Sequence, residues 1–197
     1  MAAVVHEGLD LRRYAFGGRS GQHLAFVGIL AEHKGCHVAI DVALRTRRRL
    51  YVIGRPAFHD GDRPYRERQR RYYETQIMPF VDNDRVVLLG ELGESRHKYV
   101  RTAAALLSPI QWEEPFGRAV LEAQASGTPV IAFARGALPE VVEHGTTGFL
   151  VRDTDEMIDA IEQAPQLSRW ACRERVADRF SIERVALQYH ALYASLL

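Results

Sequence analysis

The chain has 197 residues, of which 47% are hydrophobic and 26% charged, and its formal net charge is +1. This composition excludes a disordered chain, which combines low hydrophobicity with high net charge, and a chain-wide basic surface for nucleic acid. No apolar run approaches the roughly 20 residues of a membrane-spanning helix, and the length suits one domain with a sizeable core.

The cysteines and the first residues bear on the cellular compartment. Cys36 and Cys172 lie far apart without the spacing of a disulfide framework, which is typical of a reducing compartment. Residues 1–10 show no basic patch followed by an apolar stretch, so no signal peptide is predicted. The expected location is the cytoplasm.

The first 22 residues lack the clear hydrophobic period of the rest of the chain. They contain Gly17, Gly18 and Gly21, a composition typical of a flexible loop. They lack the Gly-Lys-Ser/Thr ending of a Walker phosphate loop, so that motif is excluded. We predict an interdomain-linker-like segment over residues 1–22 and a ligand-binding domain over residues 23–197.

From residue 23 onward, short apolar segments alternate with segments of helical period. The predicted strands are 23–28, 50–54, 85–90, 105–108, 128–132 and 148–151. The predicted helices are 35–47, 64–78, 94–104, 116–126, 138–144, 155–163, 168–179 and 182–197. Strict alternation of short apolar strands with helices is typical of a parallel sheet that is covered on both faces.

The predicted fold class is therefore α/β, with a doubly wound, Rossmann-like parallel sheet of about six strands. In such sheets, ligands bind beyond the carboxyl ends of the strands. Gly28, Gly54 and Gly90 end three of the predicted strands, and a loop follows a fourth strand at Ser108. We expect these glycines and this loop to share one rim of the sheet.

The most informative stretch covers residues 113–123, at the start of a predicted helix. Pro115 and Gly117 favour a helix start at this point. A free helix start presents N–H groups and the positive end of the helix dipole, which suit a phosphate. Glu114 precedes the start and Glu122 lies further down the helix, where a carboxylate can accept two hydrogen bonds from a ribose diol. On spacing alone, two solvated surface acids are the plainer interpretation.

The same stretch resembles a known family signature. Glu114 and Glu122 stand within Glu-Pro-Phe-Gly-Arg-Ala-Val-Leu-Glu-Ala, which resembles the motif of the family-4 retaining glycosyltransferases of the GT-B class. Further segments that resemble this family, in matching order, are 6–10, 26–35, 86–90, 127–132 and 136–151. The resemblance covers about residues 5–195 and concerns only the C-terminal, donor-binding half of such an enzyme.

The resemblance implies roles for individual residues. Lys34 would lie against the donor diphosphate, and its position just after the first predicted strand puts an ammonium at the binding rim. Glu114 would contact the transferred sugar, so Lys34 and Glu114 are the candidate catalytic residues. Glu122 would bind the ribose hydroxyls.

The remaining candidates surround the donor. The implied donor-binding residues are Gly28 and Gly54 at the rim, Glu91 and Leu92 near the base, and Pro115, Phe116, Gly117, Arg118, Ala119 and Glu122 around the sugar and phosphate. The implied ligand is a UDP-, GDP- or ADP-sugar, which is a substrate, so no cofactor is expected. The resemblance implies no metal, and no His, Cys and Asp cluster in the sequence suggests one.

The sequence departs from the family pattern in three respects. Ile29 stands where the family usually has an arginine, which removes one of two cations expected at the diphosphate. Arg118 and Arg55 are candidates to compensate for that loss. Ala137 replaces a common second glycine, and the acceptor-binding half would come from an N-terminal domain or from a partner chain.

The resulting hypothesis is a metal-independent glycosyltransferase that transfers sugar with retention of anomeric configuration. Two alternatives stay open. One is a stand-alone or subunit nucleotide-sugar-binding module without turnover of its own, and the other is a nucleotide-sugar epimerase of the same fold.

Arginine-rich stretches at 45–49 and 66–71 are a further feature of the chain. A solvated face is the plainer interpretation of such charge runs. Contact with an anionic membrane surface is the alternative, and nucleic acid is not expected as a partner.

Overall fold

The computed structural model describes residues 4–196. Residues 1–3, where the predicted linker-like segment begins, and Leu197, where the last predicted helix ends, lie outside the described residues.

Within residues 4–196, six strands form one parallel sheet in the order β3-β2-β1-β4-β5-β6. The strands are β1 (Leu24–Val27), β2 (Leu50–Ile53), β3 (Val86–Gly90), β4 (Ala105–Ser108), β5 (Val130–Phe133) and β6 (Gly148–Val151). Leu24 of β1 lies opposite Leu50 on one side and opposite Ala105 on the other. The strand order reverses between β1 and β4, which is where a doubly wound sheet opens a crevice for a ligand.

Eight α-helices cover the part of the sheet that the structure describes. They are α1 (Cys36–Thr46), α2 (Arg63–Gln76), α3 (His97–Val100), α4 (Arg118–Ala125), α5 (Leu138–Val141), α6 (Thr154–Gln163), α7 (Arg169–Phe180) and α8 (Ile182–Ala194). The predicted α/β fold class and the six parallel strands are thereby confirmed.

Two apolar layers hold the helices on the sheet. Leu24 and Phe26 of β1 pack with α1, α2 and α6 on one face, whereas Ala25 between them packs with α4 and α7 on the other. Successive side chains of a strand point to opposite faces, so a short, continuously apolar strand supplies both layers. This explains why the strands are apolar without alternation.

Side-chain caps fix the starts of four helices. Asp62, Asp153, Ser168 and Ser181 each accept a hydrogen bond from a backbone N–H in the first turn of α2, α6, α7 and α8. Such caps contribute about 1 kcal/mol each to helix stability. Polar residues that precede a helical period therefore set these boundaries.

The helix predicted over 94–104 is wrong in extent. The chain there forms a 3-10 turn, Gly93–Arg96, which continues into the single-turn helix α3 before β4 begins. The N–H of Ala104 donates to the carbonyl of His23 at 2.7 Å, just before β1. The N–H of Ala104 is thus used in a contact with the chain next to β1, and it is not available for a longer helix.

Other predicted helices are also shorter than expected. The helix predicted over 182–197 ends at Ala194. The helix predicted over 116–126 starts two residues late because Gly117 has a left-handed backbone, with φ of 90°. The helix predicted over 138–144 stops early because Val142 is extended, with φ of −93° and ψ of 124°.

The described part of the N-terminal segment packs on the domain. Leu9 and Tyr14 are buried. The N–H of Leu9 donates to the carbonyl of Phe180 at 2.8 Å, and the N–H of Ile182 donates to the carbonyl of Leu9 at 2.9 Å. The segment therefore pairs with the junction of α7 and α8, through a parallel bridge between Leu9 and Ser181.

Candidate functional site

A cleft of about 430 Å³ lies where β1, β2 and β3 end and α4 begins. This volume falls within the usual range for small-molecule sites. The predicted site residues that line the cleft are Gly28, Gly54, Glu91, Leu92, Arg118, Ala119 and Glu122. The predicted site residues outside the lining are Lys34, Glu114, Pro115, Phe116 and Gly117.

The floor of the cleft depends on two strand-end glycines. A Cβ added at Gly54 would lie 1.8 Å from the carbonyl oxygen of Gly28. The N–H of Gly54 donates to the carbonyl of Gly90 at 2.9 Å. At Gly54 the ends of β1 and β2 therefore approach each other more closely than a residue with a side chain would allow.

The start of α4 forms one side of the cleft. Gly117 is the cap residue in left-handed conformation, and its carbonyl accepts from the N–H groups of Val120 and Leu121 at 2.9 and 3.1 Å. Among the hydrogen bonds of residues 4–196, the N–H groups of Arg118 and Ala119 find no protein acceptor. These two N–H groups belong to the first turn of α4, and the N-terminal end of a helix favours anions.

Glu122 lies one turn further along α4 and is held by two arginines. Its side chain is 7% exposed. One carboxylate oxygen, Oε2, accepts from Nη2 and Nε of Arg96 at 2.7 and 3.2 Å. The other oxygen, Oε1, accepts from Nε of Arg118 at 3.2 Å. Sequence reasoning missed Arg96, although it lies close to the loop predicted to hold the base.

The charge of Glu122 acts on its neighbours. Burial alone would lower the pKa of Arg118, but the hydrogen bond and charge of Glu122 outweigh it and the pKa is raised. Burial, followed by the negative charge of Glu122, raises the pKa of the Tyr14 phenol. Both pKa shifts show that the negative charge of Glu122 acts on Arg118 and Tyr14.

Arg55 is the third arginine in the lining, and it follows Gly54, the residue after β2. Its guanidinium donates two hydrogen bonds to Asp60, at 2.8 and 3.1 Å. Ile29 lines the same cleft and is partly exposed. The cleft therefore carries cations although an isoleucine stands at the position where the family usually has arginine.

Lys34 and Glu114 form an ion pair beside the cleft. The Lys34 Nζ lies 2.6 Å from Oε2 of Glu114, and the two side chains are 21% and 11% exposed. A Cβ added at Gly35 would lie 1.9 Å from the carbonyl oxygen of Pro109, so the two loops that carry the pair are in close contact. The structure thus brings the two predicted catalytic residues together.

The loop after β5 supports the backbone of Glu114. The N–H of Gly136 donates to Oε2 of Glu113 at 2.7 Å, and the N–H of Ala137 donates to the carbonyl of Glu114 at 2.8 Å. Gly136 has φ of 57°, and an added Cβ would lie 2.2 Å from the carbonyl oxygen of Glu114. Sequence reasoning did not count Gly136 as a site residue.

Phe116 turns its side chain into the core. Its ring centroid lies 6.0 Å from that of His6 and 6.1 Å from that of Phe180. His6 in turn lies 2.8 Å from a carboxylate oxygen of Glu140. The side chain of Phe116 is therefore used in packing, and the role of its backbone N–H toward a ligand stays a prediction.

A histidine lies next to each of the two acidic groups. The pKa of His33 is lowered by burial and by the positive charge of Lys34. The pKa of His97 is lowered by burial and by Arg96. Both rings therefore favour the neutral form at neutral pH.

Several further predictions concern the surface. Within residues 4–196, no three His, Cys, Asp or Glu side chains cluster as metal ligands would, and no helix there has the length and apolar character that crossing a bilayer requires. Arg66 and Arg70 are exposed on α2, whereas Arg48 pairs with Glu162 at 3.1 Å. Metal independence and membrane contact stay predictions.

Sequence comparison places these features among known proteins. A D-inositol 3-phosphate glycosyltransferase of Mycobacteroides abscessus is 31% identical over 172 residues, which cover 80% of this chain and 38% of the relative. A glycogen synthase of Mycobacterium tuberculosis is 28% identical over 207 residues, which cover 96% of this chain and 47% of the relative. The chain spans less than half the length of these curated relatives.

Solved structures share the fold over almost the entire chain. HepE of Anabaena, in complex with UDP and glucose, has a TM-score of 0.81 at 21% identity, covering 98% of this chain and 56% of that one. The sucrose-phosphate synthase of Thermosynechococcus elongatus has a TM-score of 0.78 at 27% identity, covering 98% of this chain and 52% of that one. The expected fold, one half of a GT-B enzyme, is confirmed.

A family model described as Glycosyl transferases group 1 matches residues 21–166, more than half of the chain. This match includes the strand-end glycines, the ion pair beside the cleft and all of α4. The chain belongs to the Glycosyl transferases group 1 family, and the resemblance stated from its motifs is confirmed.

Proposed function

We propose that this chain is the donor-binding half of a glycosyltransferase, which binds a nucleotide diphospho-sugar in the cleft and transfers the sugar with retention and without a metal ion. The observation that carries the proposal is the cleft itself. It opens at the carboxyl ends of the strands, beside a helix start, and its lining includes Arg55, Arg96 and Arg118. An anionic ligand with a flat ring suits this lining, which also includes the apolar side chains of Val27, Ile53 and Leu92.

Glu122 is the proposed ribose ligand. A carboxylate offers about four acceptor positions, and three are taken by Arg96 and Arg118. The side chain of Arg118 is 59% exposed and that of Arg96 is 27% exposed. A ribose hydroxyl therefore displaces Arg118 more readily than Arg96, because the exposed guanidinium regains water.

The diphosphate is proposed to meet three kinds of positive charge. These are the free N–H groups at the start of α4, the ammonium of Lys34, and a guanidinium from Arg118 or Arg55. An Arg118 released from Glu122 would supply the charge that Ile29 does not. Charged hydrogen bonds of this kind are worth about 1.5–3 kcal/mol each.

Glu114 is proposed to hold the transferred sugar. In the transfer, the bond from the anomeric carbon to the diphosphate oxygen breaks and a bond to the acceptor oxygen forms on the same face. The leaving diphosphate takes the proton of the acceptor hydroxyl. Lys34 and the helix start stabilise the charge that develops on the leaving group, and such preorganised donors are worth about 10²–10³ in rate each.

The relatives support the choice of substrate class. HepE was solved with UDP and with UDP-glucose, so UDP-glucose is the first donor to test. The acceptor half is proposed to come from an N-terminal domain or from a partner chain.

The proposal is tested by calorimetric titration of the chain with UDP, GDP, ADP and their glucose conjugates. One nucleotide series should bind, and Glu122→Gln should weaken it while Glu162→Gln, on an exposed surface pair, should not. Absence of binding by every nucleotide would refute the proposal. With an acceptor half supplied, NMR of the product should show the anomeric configuration of the donor.

A further inference from the structure

Trp112 stands next to the Lys34–Glu114 ion pair, in the loop that leads from β4 to α4. Its indole N–H donates to Oε2 of Glu114 at 2.9 Å. Lys34 donates to the same oxygen at 2.6 Å, and its Nζ lies 4.9 Å from the centroid of the Trp112 ring. Trp112 therefore contacts both members of the pair.

These contacts leave the carboxylate of Glu114 unevenly used. Both donors converge on Oε2, and no hydrogen bond from residues 4–196 reaches Oε1. A carboxylate oxygen can accept about two hydrogen bonds. One oxygen is thus anchored and the other is free to accept from a ligand.

The indole is itself held in place. Its ring meets the ring of His33 edge to face, with centroids 4.9 Å apart. The N–H of Gln111 donates to the carbonyl of His33 at 2.7 Å, which ties the Trp112 loop to the loop of Lys34. Trp112 is nevertheless 38% exposed, so the indole is not fully buried by these contacts.

We infer that Trp112 is a positioning residue for the transferred sugar. Its N–H turns the Glu114 carboxylate so that Oε1 accepts a hydroxyl of that sugar, and its ring keeps Lys34 beside Oε2. This inference rests on the proposed function, because it needs a nucleotide-sugar in the neighbouring cleft. It concerns the sugar only, since Trp112 does not line the cleft.

The experiment measures dissociation constants for UDP and UDP-glucose, or for the nucleotide pair that the wild-type chain prefers. Trp112→Phe keeps an aromatic ring but removes the N–H donor. We expect its affinity for the nucleotide to stay within about twofold, while the ratio of nucleotide to nucleotide-sugar affinity shifts about tenfold against the sugar form. The matched control is Trp170→Phe, an exposed tryptophan on α7, which should leave both constants unchanged.

A double-mutant cycle with Glu114→Gln tests the route of the effect. If Trp112 acts through Glu114, the two substitutions together should shift the ratio no further than Glu114→Gln alone. An unchanged ratio in Trp112→Phe, an equal loss of both affinities, or additive effects in the cycle would each overturn the inference. Failure of the wild-type chain to bind any nucleotide would instead overturn the proposed function beneath it.

Discussion

The two carboxylates at the rim are almost equally buried but differ in how they are used. Glu122, with its side chain 7% exposed, accepts guanidinium donors on both oxygens. Glu114, 11% exposed, accepts from an ammonium and an indole on one oxygen only. Glu122 is thus held by guanidinium groups on both oxygens, whereas in residues 4–196 no hydrogen bond reaches Oε1 of Glu114. Burial alone therefore does not show how many hydrogen-bond donors hold a carboxylate, or on which of its oxygens.

The difference follows from where each acid stands in the chain. Glu122 lies within α4, whose backbone fixes its direction. Glu114 precedes the helix and depends on neighbouring loops, through contacts of its backbone with Ala137 and of its side chain with Lys34. The backbone of α4 therefore sets the position of Glu122, whereas neighbouring loops set the position of Glu114.

The largest expected effect comes from removing Glu122. Glu122→Ala should lower the free energy of unfolding by about 3 kcal/mol, because it leaves the largely buried guanidinium of Arg96 without the carboxylate that neutralises it. Urea unfolding measures this. Glu162→Ala is the control, since that side chain is 67% exposed in its pair with Arg48 and should cost less than about 1 kcal/mol. Equal costs would contradict the contrast.

The support of Glu114 is tested by two glycine substitutions. Gly136 and Gly145 have φ of 57° and 78°, so alanine strains the backbone at either position by about 1–2 kcal/mol. Only at Gly136 does the added Cβ meet the carbonyl oxygen of Glu114, at 2.2 Å, whereas at Gly145 nothing lies within 4 Å. We expect Gly136→Ala to cost about 1 kcal/mol more in thermal unfolding and to weaken nucleotide-sugar binding. A matching loss of binding in Gly145→Ala would refute this.

Removal of the ammonium sharpens the comparison on the Glu114 side. Lys34→Met keeps the apolar stem against Trp112 but removes the charge, so nucleotide affinity should fall about tenfold. Calorimetry measures the change. Lys98→Met is the matched control, because Lys98 is the other lysine of the chain and lies over the ring of Tyr99. Unchanged affinity in Lys34→Met would remove Lys34 from the proposed donor site.

The smallest expected effect is a pH dependence that both regions share. The pKa values of His33 and His97 are lowered, chiefly by burial, so the folded chain binds fewer protons than the unfolded chain. Stability should therefore fall as pH drops through about 6.5, the unperturbed value for histidine. Urea unfolding at pH 7.5 and 5.5 measures the fall. His97→Gln and His33→Gln should each reduce it, and His190→Gln on the exposed face of α8 should not. A stability that rises on acidification would contradict these pKa directions.

Much of this architecture could be predicted from the sequence, since local signals carry it. Strands such as 105–108 and 148–151 are short apolar runs, and their predicted bounds match the structure. The helix predicted over 94–104 failed because an N–H group in it pairs instead with the carbonyl of His23, a contact distant in sequence. The hydrophobic period of a segment carries no information on its hydrogen bonds to distant parts of the chain.

The candidate site divides in the same way. The family motif in consecutive residues identified Glu114 and Glu122. The resemblance of residues 26–35 to the same family identified Lys34, and its position after the first predicted strand agreed with that role. Arg96 escaped notice because it reaches Glu122 across 26 residues of chain, and a surface arginine is unremarkable in sequence.

The bridge between Leu9 and Ser181 has a mechanical consequence. A displacement of Leu9 would act on the junction of α7 and α8, because two backbone hydrogen bonds connect them. The same N-terminal segment places His6 against Phe116, next to the first turn of α4. A displacement of residues 6–9 would therefore act both on the junction of α7 and α8 and on the residues next to the start of α4.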